Sequence, residues 1–411
     1  MSGCIAVLVH DGFYGCGTGA GVANRGLLQA LAAHHGHVSW RVLPVGLVPD
    51  SPEFSAAWHD RTRHLLAGVG GGVVVDPVDN GTGGRTRFGD LDCFRAASAD
   101  AARRLNALRG PARPGLVLAV DTPFHGIGAH LDEDLAARTL VLPRSTALLH
   151  EPHNTARAAW EHQGWSSILA QGGHVGAISA HMRLHLEADY GLAPQEIVDM
   201  PDGLASGARE SAPAPALPAA AQGGFALSLG RAAPYKGFED LIEAWALLQH
   251  HGERLPHLIL AAVTETAEPT PYQHHLARQL RQTGVEATLW TGFDPGVRAL
   301  FTHVRARTVV VPSRVEPFGL IPLEVFAAGG PPVVATAVGG LAETVQEPRT
   351  GFTAAPADPV SLANAITRAL SLNPAGREQL RARTAQVLQE HDYTHTVTSV
   401  VQRLAPWACR S

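Results

Sequence analysis

A chain of 411 residues is too long for one ordinary hydrophobic core and is about the right length for two α/β domains. Apolar residues make up 45% of the chain and charged residues 17%, which predicts a well-buried globular protein. The sequence contains no run of about 18 uncharged apolar residues, so we expect no membrane-spanning helix. The net charge of −5 gives no reason to expect a nucleic acid or an anionic membrane as a partner. Four widely separated cysteines, and a first strand where a signal peptide would stand, lead us to expect a cytoplasmic protein.

The basic residues are divided unevenly between the two types. Of the 32 basic residues one, Lys236, is Lys and the rest are Arg. This preference for Arg over Lys, together with the abundance of Ala and Gly, is typical of a GC-rich genome. Because the chain uses Arg wherever a generic cation is enough, Lys236 is a candidate site residue before any motif is considered.

Short β-branched runs alternate with helical stretches throughout, which is the pattern of parallel sheets with crossover helices. The predicted strands are residues 5–9, 38–45, 73–75, 116–121, 147–150, 175–179 and 197–200, then 225–229, 258–262, 288–290, 308–311 and 333–335. An Ala/Pro/Gly-rich stretch without periodicity separates the two series and is predicted to be a linker. The predicted domains are 1–205, a linker at 206–224, a second domain at 225–385, and a helical tail at 386–411 that packs back on the first domain. The fold class is α/β, with two Rossmann-like, doubly wound parallel-sheet domains facing across a cleft.

A Gly-rich loop follows the first predicted strand and precedes a helix. It contains Gly17-x-Gly19-x-Gly21, which is close to the dinucleotide fingerprint but differs from Gly-x-Gly-x-x-Gly. No acidic residue follows a second strand at the expected place. A nicotinamide-dependent oxidoreductase is therefore not expected.

Two features of the first half could suggest a metal, and neither supports one. The segment from His150 to Asn154 resembles the zinc motif His-Glu-x-x-His, but Asn154 replaces the second histidine and a proline disrupts the required helix. The Asp-x-Asp triplets at 90–92 and 132–134 precede helical stretches, where acidic residues serve as caps and complement the helix dipole. We therefore expect no metal site.

The strongest segment lies just after the linker. A strand from Phe225 ends at Gly230, and a helix begins near Gly237, so Arg231 and Lys236 lie at the carboxyl edge of the second sheet, where ligands of open α/β folds bind. Two cations beside a helix N-terminus suit a diphosphate, because full charges, backbone N–H groups and the helix dipole act together.

A second segment carries two carboxylates eight residues apart. Glu316 follows a strand that ends near residue 311, and Glu324 lies on the helix that follows. The neighbours of Glu324 are apolar, so an unpaired charge there would be costly. Carboxylates accept hydrogen bonds from sugar and ribose hydroxyls, and both can face one cleft at different depths.

These segments together resemble a known family. Gly230-Arg-x-x-Pro-x-Lys-Gly237, followed by Glu316-Pro-Phe-Gly-x-x-x-x-Glu324, is similar to the retaining glycosyltransferase family GT4, which has the GT-B fold. Met200-Pro-Asp-Gly resembles the turn that closes the first domain of the family, and the Gly-Gly pair at 339–340 resembles its donor loop. The match is specific in the second half and loose in the first.

The resemblance implies a role for each matched residue of the second half. Arg231 and Lys236 would hold the diphosphate and stabilise it as it leaves, Glu316 would contact the transferred sugar, and Glu324 would bind the ribose hydroxyls. Arg231, Lys236 and Glu316 are thus candidate catalytic residues. The backbone amides expected near the sugar hydroxyls and the phosphate are those of Phe318, Gly319 and Leu320.

The resemblance implies less specific roles in the first half. Gly17 and Gly19 would let the backbone approach the donor phosphate. The family places a catalytic histidine at the end of a first-domain strand, near the transferred sugar, and the pattern matches His153 best and His150 second.

The acceptor is expected in the first domain. Asp121 and His125, just after a predicted strand, are candidates to line its pocket, together with His150. Polar, Gly-rich segments at 11–21 and 79–89 favour a small hydrophilic acceptor such as a sugar, a cyclitol or a natural-product scaffold.

The predicted function is transfer of a hexose or amino sugar from a nucleotide diphosphate sugar, with retention, by front-face substitution and without a metal or other cofactor. A phosphorylase or nucleotide-sugar hydrolase of the same fold is the first alternative. A non-catalytic nucleotide-sugar binding module is the second, and the intact set of cations and acids disfavours it. The donor base stays open among uridine, guanosine and thymidine, and the sequence sets no oligomeric state.

Overall fold

The computed structural model describes residues 3–205, 212–265 and 268–409. The chain folds as two compact units, residues 1–208 with 392–411, and residues 209–391. Of the predicted linker at 206–224, residues 206–211 lie outside the described residues, and Ala219–Gly223 forms a short 3₁₀ helix.

The first unit is built on a seven-stranded parallel sheet with the order β3-β2-β1-β4-β5-β6-β7. All six residues of its β1 are buried, as expected for a parallel strand covered on both faces by helices. The strands are β1 (Cys4–Val9), β2 (Ser39–Pro44), β3 (Val73–Val75), β4 (Pro114–Val120), β5 (Thr139–Leu142), β6 (His174–Ala177) and β7 (Ile197–Asp199). Because β1 lies between β2 and β4, the residues after β1 and β4 meet at one edge of the sheet.

Most helices of the first unit begin at a residue whose side chain caps the helix. Thr18, Ser55, Asp90 and Ser179 each accept a hydrogen bond from a backbone N–H of the helix that follows. The helices are α1 (Gly19–His35), α2 (Ala56–Ala67), α3 (Leu91–Asn106), α4 (Glu133–Ala136), α5 (Ala147–His150), α6 (Thr155–Ala170) and α7 (Ala180–Tyr190).

The second unit has a six-stranded parallel sheet with the order β10-β9-β8-β11-β12-β13. Its strands are β8 (Phe225–Arg231), β9 (His257–Thr264), β10 (Ala287–Gly292), β11 (Ala306–Val311), β12 (Val333–Thr336) and β13 (Phe352–Ala354). Its helices are α8 (Phe238–His250), α9 (Pro271–Thr283), α10 (Leu320–Ala327), α11 (Leu341–Thr344), α12 (Pro359–Leu370) and α13 (Pro374–Glu390). The predicted fold class of two parallel-sheet α/β domains is confirmed.

The last helix of the chain belongs to the first unit. It is α14 (Tyr393–Leu404), and it packs against α1. The fully buried Tyr393 accepts a 2.9 Å hydrogen bond from the Arg144 guanidinium. The boundary predicted between 385 and 386 falls inside α13, and the chain returns to the first unit at Asp392.

One predicted strand is wrong and two strands were missed. Residues 147–150 form α5 because Thr146 caps the turn, its hydroxyl accepting from the Leu149 amide at 3.3 Å. A four-residue apolar run does not distinguish a strand from a buried helical turn. The strands that the sequence analysis missed are β5 and β13. None of the helices in the described part of the chain has both the length and the apolar character needed to cross a bilayer.

Candidate active site

The turn after β8 carries the two predicted phosphate cations. Gly237 closes this turn at φ +67°, and a Cβ there would lie 2.0 Å from the carbonyl oxygen of Pro312, so glycine is required. The Arg231 guanidinium carbon lies 5.7 Å and the Lys236 ammonium nitrogen 5.6 Å from the ring centroid of Tyr235. The sequence analysis did not identify Tyr235, which holds both cations beside the first turn of α8.

Lys236 and Glu316 meet although 80 positions separate them in the sequence. The Lys236 ammonium donates to Glu316 Oε2 at 2.5 Å, and the Ser313 hydroxyl donates to the same oxygen at 3.1 Å. The two charged side chains are 16% and 13% exposed. They come together because β8 and β11 are neighbours in the sheet and each strand ends just before one of them. The charged pair is therefore fixed in place and still reaches solvent.

The Glu-Pro-Phe-Gly turn is held by the Gly-Gly loop. Gly319 has φ +92°, and a Cβ there would lie 2.5 Å from Leu341 Cδ2. The Gly340 amide donates to the Glu316 carbonyl at 3.1 Å, and a Cβ on Gly340 would lie 2.4 Å from Phe318 Cα. Both glycines are therefore needed for the turn and the loop to fit together. The predicted amide donors lie in this turn and at the start of α10.

Glu324 makes a contact that the sequence analysis did not foresee. Both of its carboxylate oxygens accept from Arg298 Nε at 3.0 Å, and its side chain is 11% exposed. The apolar neighbours of Glu324 in the sequence suggested that its charge would need a partner. Arg298 is that partner, and it lies in the same unit. Arg298 lies in no local motif and could not be identified from the sequence.

Arg314 was also missed, although it lies inside the segment already singled out. Its guanidinium donates to both oxygens of Asp240 at 2.8 and 2.6 Å, and its amide donates to the Tyr235 carbonyl at 2.7 Å. The hydrogen bonds to Asp240 raise the pKa of Arg314 above its ordinary value, with burial acting in the opposite direction. Arg314 thereby ties the turn after β11 to the turn that carries Lys236.

The Gly-rich loop of the first unit folds around the Asp11 carboxylate. That carboxylate accepts from the amides of Gly12, Gly17 and Thr18 at 2.8, 3.4 and 3.1 Å. A Cβ on Gly21 would lie 2.5 Å from the Asp11 carboxyl carbon. The Gly17 amide, expected to face a donor phosphate, therefore points to Asp11, and the glycine that packing demands is Gly21.

Gly19 lies in an open position at the start of α1. A Cβ there would meet no atom within 4 Å, and the residue is exposed. Its expected role, close approach of the backbone to a phosphate, has no packing contact in this structure to support it. That role stays a prediction.

The predicted histidines do not lie at the end of a strand. His150 ends α5, and His153 is exposed in the turn that follows it. The preceding strand, β5, ends at Leu142, and the chain continues through Arg144. The strand-end placement expected for His153, and for His150 as second choice, is therefore wrong, because the segment is a capped helical turn.

The two other acceptor candidates have different surroundings. Asp121 follows β4 directly, and its Oδ2 lies 3.6 Å from Nε2 of His10, which follows β1. His125 is fully buried between two tryptophan rings, and its Nδ1 lies 3.2 Å from Glu161. His125 is therefore a core residue in this structure, which does not fit the acceptor-lining position expected for it, whereas Asp121 lies at the carboxyl edge of the sheet.

The acidic residues of the two Asp-x-Asp triplets make structural contacts. Asp90 caps α3 by accepting from two backbone amides, as predicted. Asp132 and Asp134 both pair with the Arg113 guanidinium, at 3.3 and 2.9 Å. Within residues 3–205, 212–265 and 268–409, no three His, Cys, Asp or Glu side chains are grouped as a metal site would require.

The fold and the second unit both have counterparts among known proteins. The sucrose-phosphate synthase tll1590 of Thermosynechococcus elongatus superposes with a TM-score of 0.74 at 20% identity, over 98% of this chain and 99% of its own. Anabaena HepE, solved in complex with UDP-glucose, superposes at 0.68 with 17% identity, over 98% and 99% of the two chains. At these identities the likeness shows the fold, which is that of the two-domain GT-B glycosyltransferases.

Part of the chain also has sequence relatives among glycosyltransferases. Residues 215–387 match the family described as "Glycosyl transferases group 1". The glycogen synthase of Mycobacterium tuberculosis H37Rv is 32% identical over 178 residues, which cover 43% of this chain and 41% of that protein. The D-inositol 3-phosphate glycosyltransferase of Geodermatophilus obscurus is 32% identical over 281 residues, 64% and 59% of the two. The match thus spans about half the length of these relatives. Residues 215–387 therefore form a group 1 glycosyltransferase domain, as the motifs of the second half predicted.

Proposed function

We propose that the chain is a retaining hexosyltransferase that moves a hexose or amino sugar from a nucleotide diphosphate sugar to a hydroxyl of a small polar acceptor. The acceptor is a sugar, a cyclitol or a natural-product scaffold. The observation that carries the proposal is the Lys236–Glu316 ion pair beside the exposed Arg231, at the N-terminus of α8.

The chemistry of this cluster suits a leaving diphosphate. Negative charge develops on the diphosphate as the bond to the sugar breaks, and fixed cations stabilise that charge without reorganising. Glu316 and Tyr235 hold Lys236 in place before the donor arrives. The helix dipole of α8 adds to the field of the two cations.

The remaining contacts of the donor are assigned as the resemblance of these motifs to the GT4 family implies. Glu316 binds the hydroxyls of the transferred sugar, and Glu324, oriented by Arg298, binds the ribose hydroxyls. The amides of the Glu316–Leu320 turn bind the sugar and the nearer phosphate. Because two protein cations serve the diphosphate, the reaction needs no catalytic metal, and we expect activity to persist in a chelator.

The relatives suggest which substrates to try first. HepE was solved with UDP-glucose and the Geodermatophilus relative is named for D-inositol 3-phosphate. UDP-sugars and inositols are therefore tested first, followed by GDP- and dTDP-sugars.

The four cysteines are free, and two of them, Cys4 and Cys16, are buried. Free cysteines fit a protein that acts in the reducing cytoplasm.

The test combines binding with product analysis. A nucleotide that binds the folded protein raises its melting temperature by mass action, so the nucleotide panel is screened by thermal shift. The preferred donor is then incubated with acceptors, and the anomeric configuration of the product is read by proton NMR. Retention and acceptor-dependent donor consumption support the proposal. Inversion, donor cleavage that needs only inorganic phosphate or water, or no shift with any nucleotide would each contradict it.

A further inference from the structure

The first turn of α8 carries two acidic residues beside the phosphate cations. Glu239 and Asp240 are the second and third residues of this helix, which begins two residues after Lys236. Acidic residues in a first turn stabilise a helix, because they complement its dipole. They also oppose the binding of a diphosphate at the same end of the helix, because like charges repel. A diphosphate site at the N-terminus of α8 must therefore balance these two charges.

The Asp240 carboxylate lies close to the residue that closes the phosphate turn. A Cβ on Gly237 would lie 3.2 Å from Asp240 Oδ2. The side chain of Asp240 is 9% exposed, so solvent screens its charge only weakly. An unbalanced negative charge at this position would repel an anion bound at the N-terminus of α8.

Arg314 supplies the balancing charge for Asp240. Its Nε donates to Asp240 Oδ2 at 2.8 Å, and its Nη2 donates to Oδ1 at 2.6 Å. A pair joined by two parallel hydrogen bonds is fixed in geometry as well as in charge. Arg314 follows β11, 74 positions after Asp240, so the strand order of the second sheet brings the cation to this helix end.

The second acid is engaged by a neutral donor. Glu239 Oε2 accepts a 2.6 Å hydrogen bond from the Tyr272 hydroxyl of α9. Burial and the hydrogen bond to Glu239 raise the pKa of Tyr272, so the hydroxyl stays protonated and keeps donating. The pKa of Arg314 is raised first by its hydrogen bonds to Asp240 and also by the charge of Glu239, so the guanidinium acts on both acids.

The side chain of Arg314 and its backbone make separate contacts. The Arg314 amide donates to the Tyr235 carbonyl at 2.7 Å, and this contact does not depend on the side chain. The tie between the two turns therefore persists when the guanidinium is replaced. What the guanidinium adds is its positive charge at the first turn of α8.

We propose that Arg314 is a positioning residue that keeps the N-terminus of α8 attractive to the donor diphosphate by balancing the charge of Asp240. This inference rests on the proposed function, and all of its residues lie in the second unit. Arg314 acts through Asp240 and contacts no phosphate itself. The affinity for the diphosphate therefore depends on the net charge of the Arg314–Asp240 pair.

The experiment measures the Kd of UDP and of uridine by isothermal titration, with the GDP or dTDP pair in their place if the nucleotide screen selects it. In Arg314→Leu the Kd of the diphosphate is expected to rise about tenfold, because Asp240 is left unbalanced. The Kd of the nucleoside, which has no phosphate, is expected to stay unchanged. Arg281→Leu removes one positive charge from an exposed position of α9 and is the matched control, with both Kd values unchanged.

The double variant Arg314→Leu/Asp240→Asn separates charge from geometry. It removes both charges and leaves the pair neutral, as it is in the wild type, so most of the lost diphosphate affinity should return. A guanidinium that acted by touching the phosphate, or by holding the fold, would not be replaced by this second substitution. A double variant as weak as Arg314→Leu would therefore overturn the inference.

Asp240→Asn alone keeps the test decisive if thermal melting shows that Arg314→Leu does not fold. This variant leaves the Arg314 charge unbalanced, so the diphosphate should bind about tenfold more tightly. Unchanged or weaker binding would contradict the inference.

The outcomes separate this inference from the proposed function. If the wild type binds the diphosphate more tightly than the nucleoside, and a folded Arg314→Leu does so equally well, the inference is overturned while the function stands. If the wild type shows no preference for any nucleoside diphosphate over its nucleoside, the proposed function itself fails.

Discussion

Replacing Lys236 by Ala removes the cation that the structure ties most firmly to the candidate active site. Lys236 is 2.5 Å from Glu316 and its side chain is 16% exposed, so the charge acts in a partly desolvated position where screening by water is reduced. If the ammonium stabilises the leaving diphosphate as one oxyanion-hole donor does, its loss costs about 3–4 kcal/mol of transition-state stabilisation, a rate loss of about 100-fold or more.

The assay is steady-state transfer from the preferred donor, with separate kcat and KM values. Arg281→Ala is the control, because it removes one positive charge from an exposed position of α9. Lys236→Arg keeps the charge but changes its geometry, so an intermediate rate is expected. A Lys236→Ala enzyme with near-normal kcat, or an equal loss in Arg281→Ala, would refute the assignment of Lys236 to the leaving group.

Three further substitutions test contacts that orient the candidate site or stabilise the fold. Arg298→Ala removes the side chain that orients the Glu324 carboxylate. The KM for the donor should therefore rise about tenfold, equivalent to about 1.4 kcal/mol, with little change in kcat. An unchanged KM would contradict the assignment of Glu324 to donor binding. Tyr393→Phe deletes the hydroxyl that accepts from Arg144, and leaving that buried donor unpaired should lower the free energy of unfolding by about 1–3 kcal/mol, measured by denaturant titration, without changing nucleotide affinity. Gly340→Ala places a Cβ 2.4 Å from the backbone of the Glu-Pro-Phe-Gly turn, so the turn must shift and the nucleotide Kd should increase; calorimetry that shows the wild-type Kd would contradict this account of the loop.

The sequence predicted which candidate residues of the second unit lie together, because these residues follow its strands directly. Lys236 and Glu316 each lie a few residues after a strong β-branched run, and any parallel sheet in which those two strands are neighbours brings them together. Lys236 could be singled out because it is the one Lys of the chain, and Glu324 because its sequence neighbours are apolar. Tyr235 and Arg314 lie inside the same segments, but their role depends on side-chain directions that a sequence pattern does not contain.

The first unit was predicted less well because its contacts depend on sheet order. His10 and Asp121 are 111 positions apart and meet because β1 lies next to β4, an arrangement that the alternation of strands and helices does not specify. The Gly-rich loop was interpreted as a phosphate site, although Asp11, which its amides contact, stands in the same stretch. The family resemblance indicated His153 as the histidine at a strand end, but the residues just before it form the helical turn α5.

The central claim is that Arg231 and Lys236 bind the diphosphate of the donor in the second unit. Isothermal titration of the preferred nucleoside diphosphate, and of its nucleoside, into the wild type and the Arg231→Ala/Lys236→Ala double variant tests it directly. We predict that the wild type binds the diphosphate at least about 100-fold more tightly than the nucleoside, a difference of about 2.7 kcal/mol, and that the double variant loses this difference. Equal diphosphate affinities in the two proteins would contradict the claim.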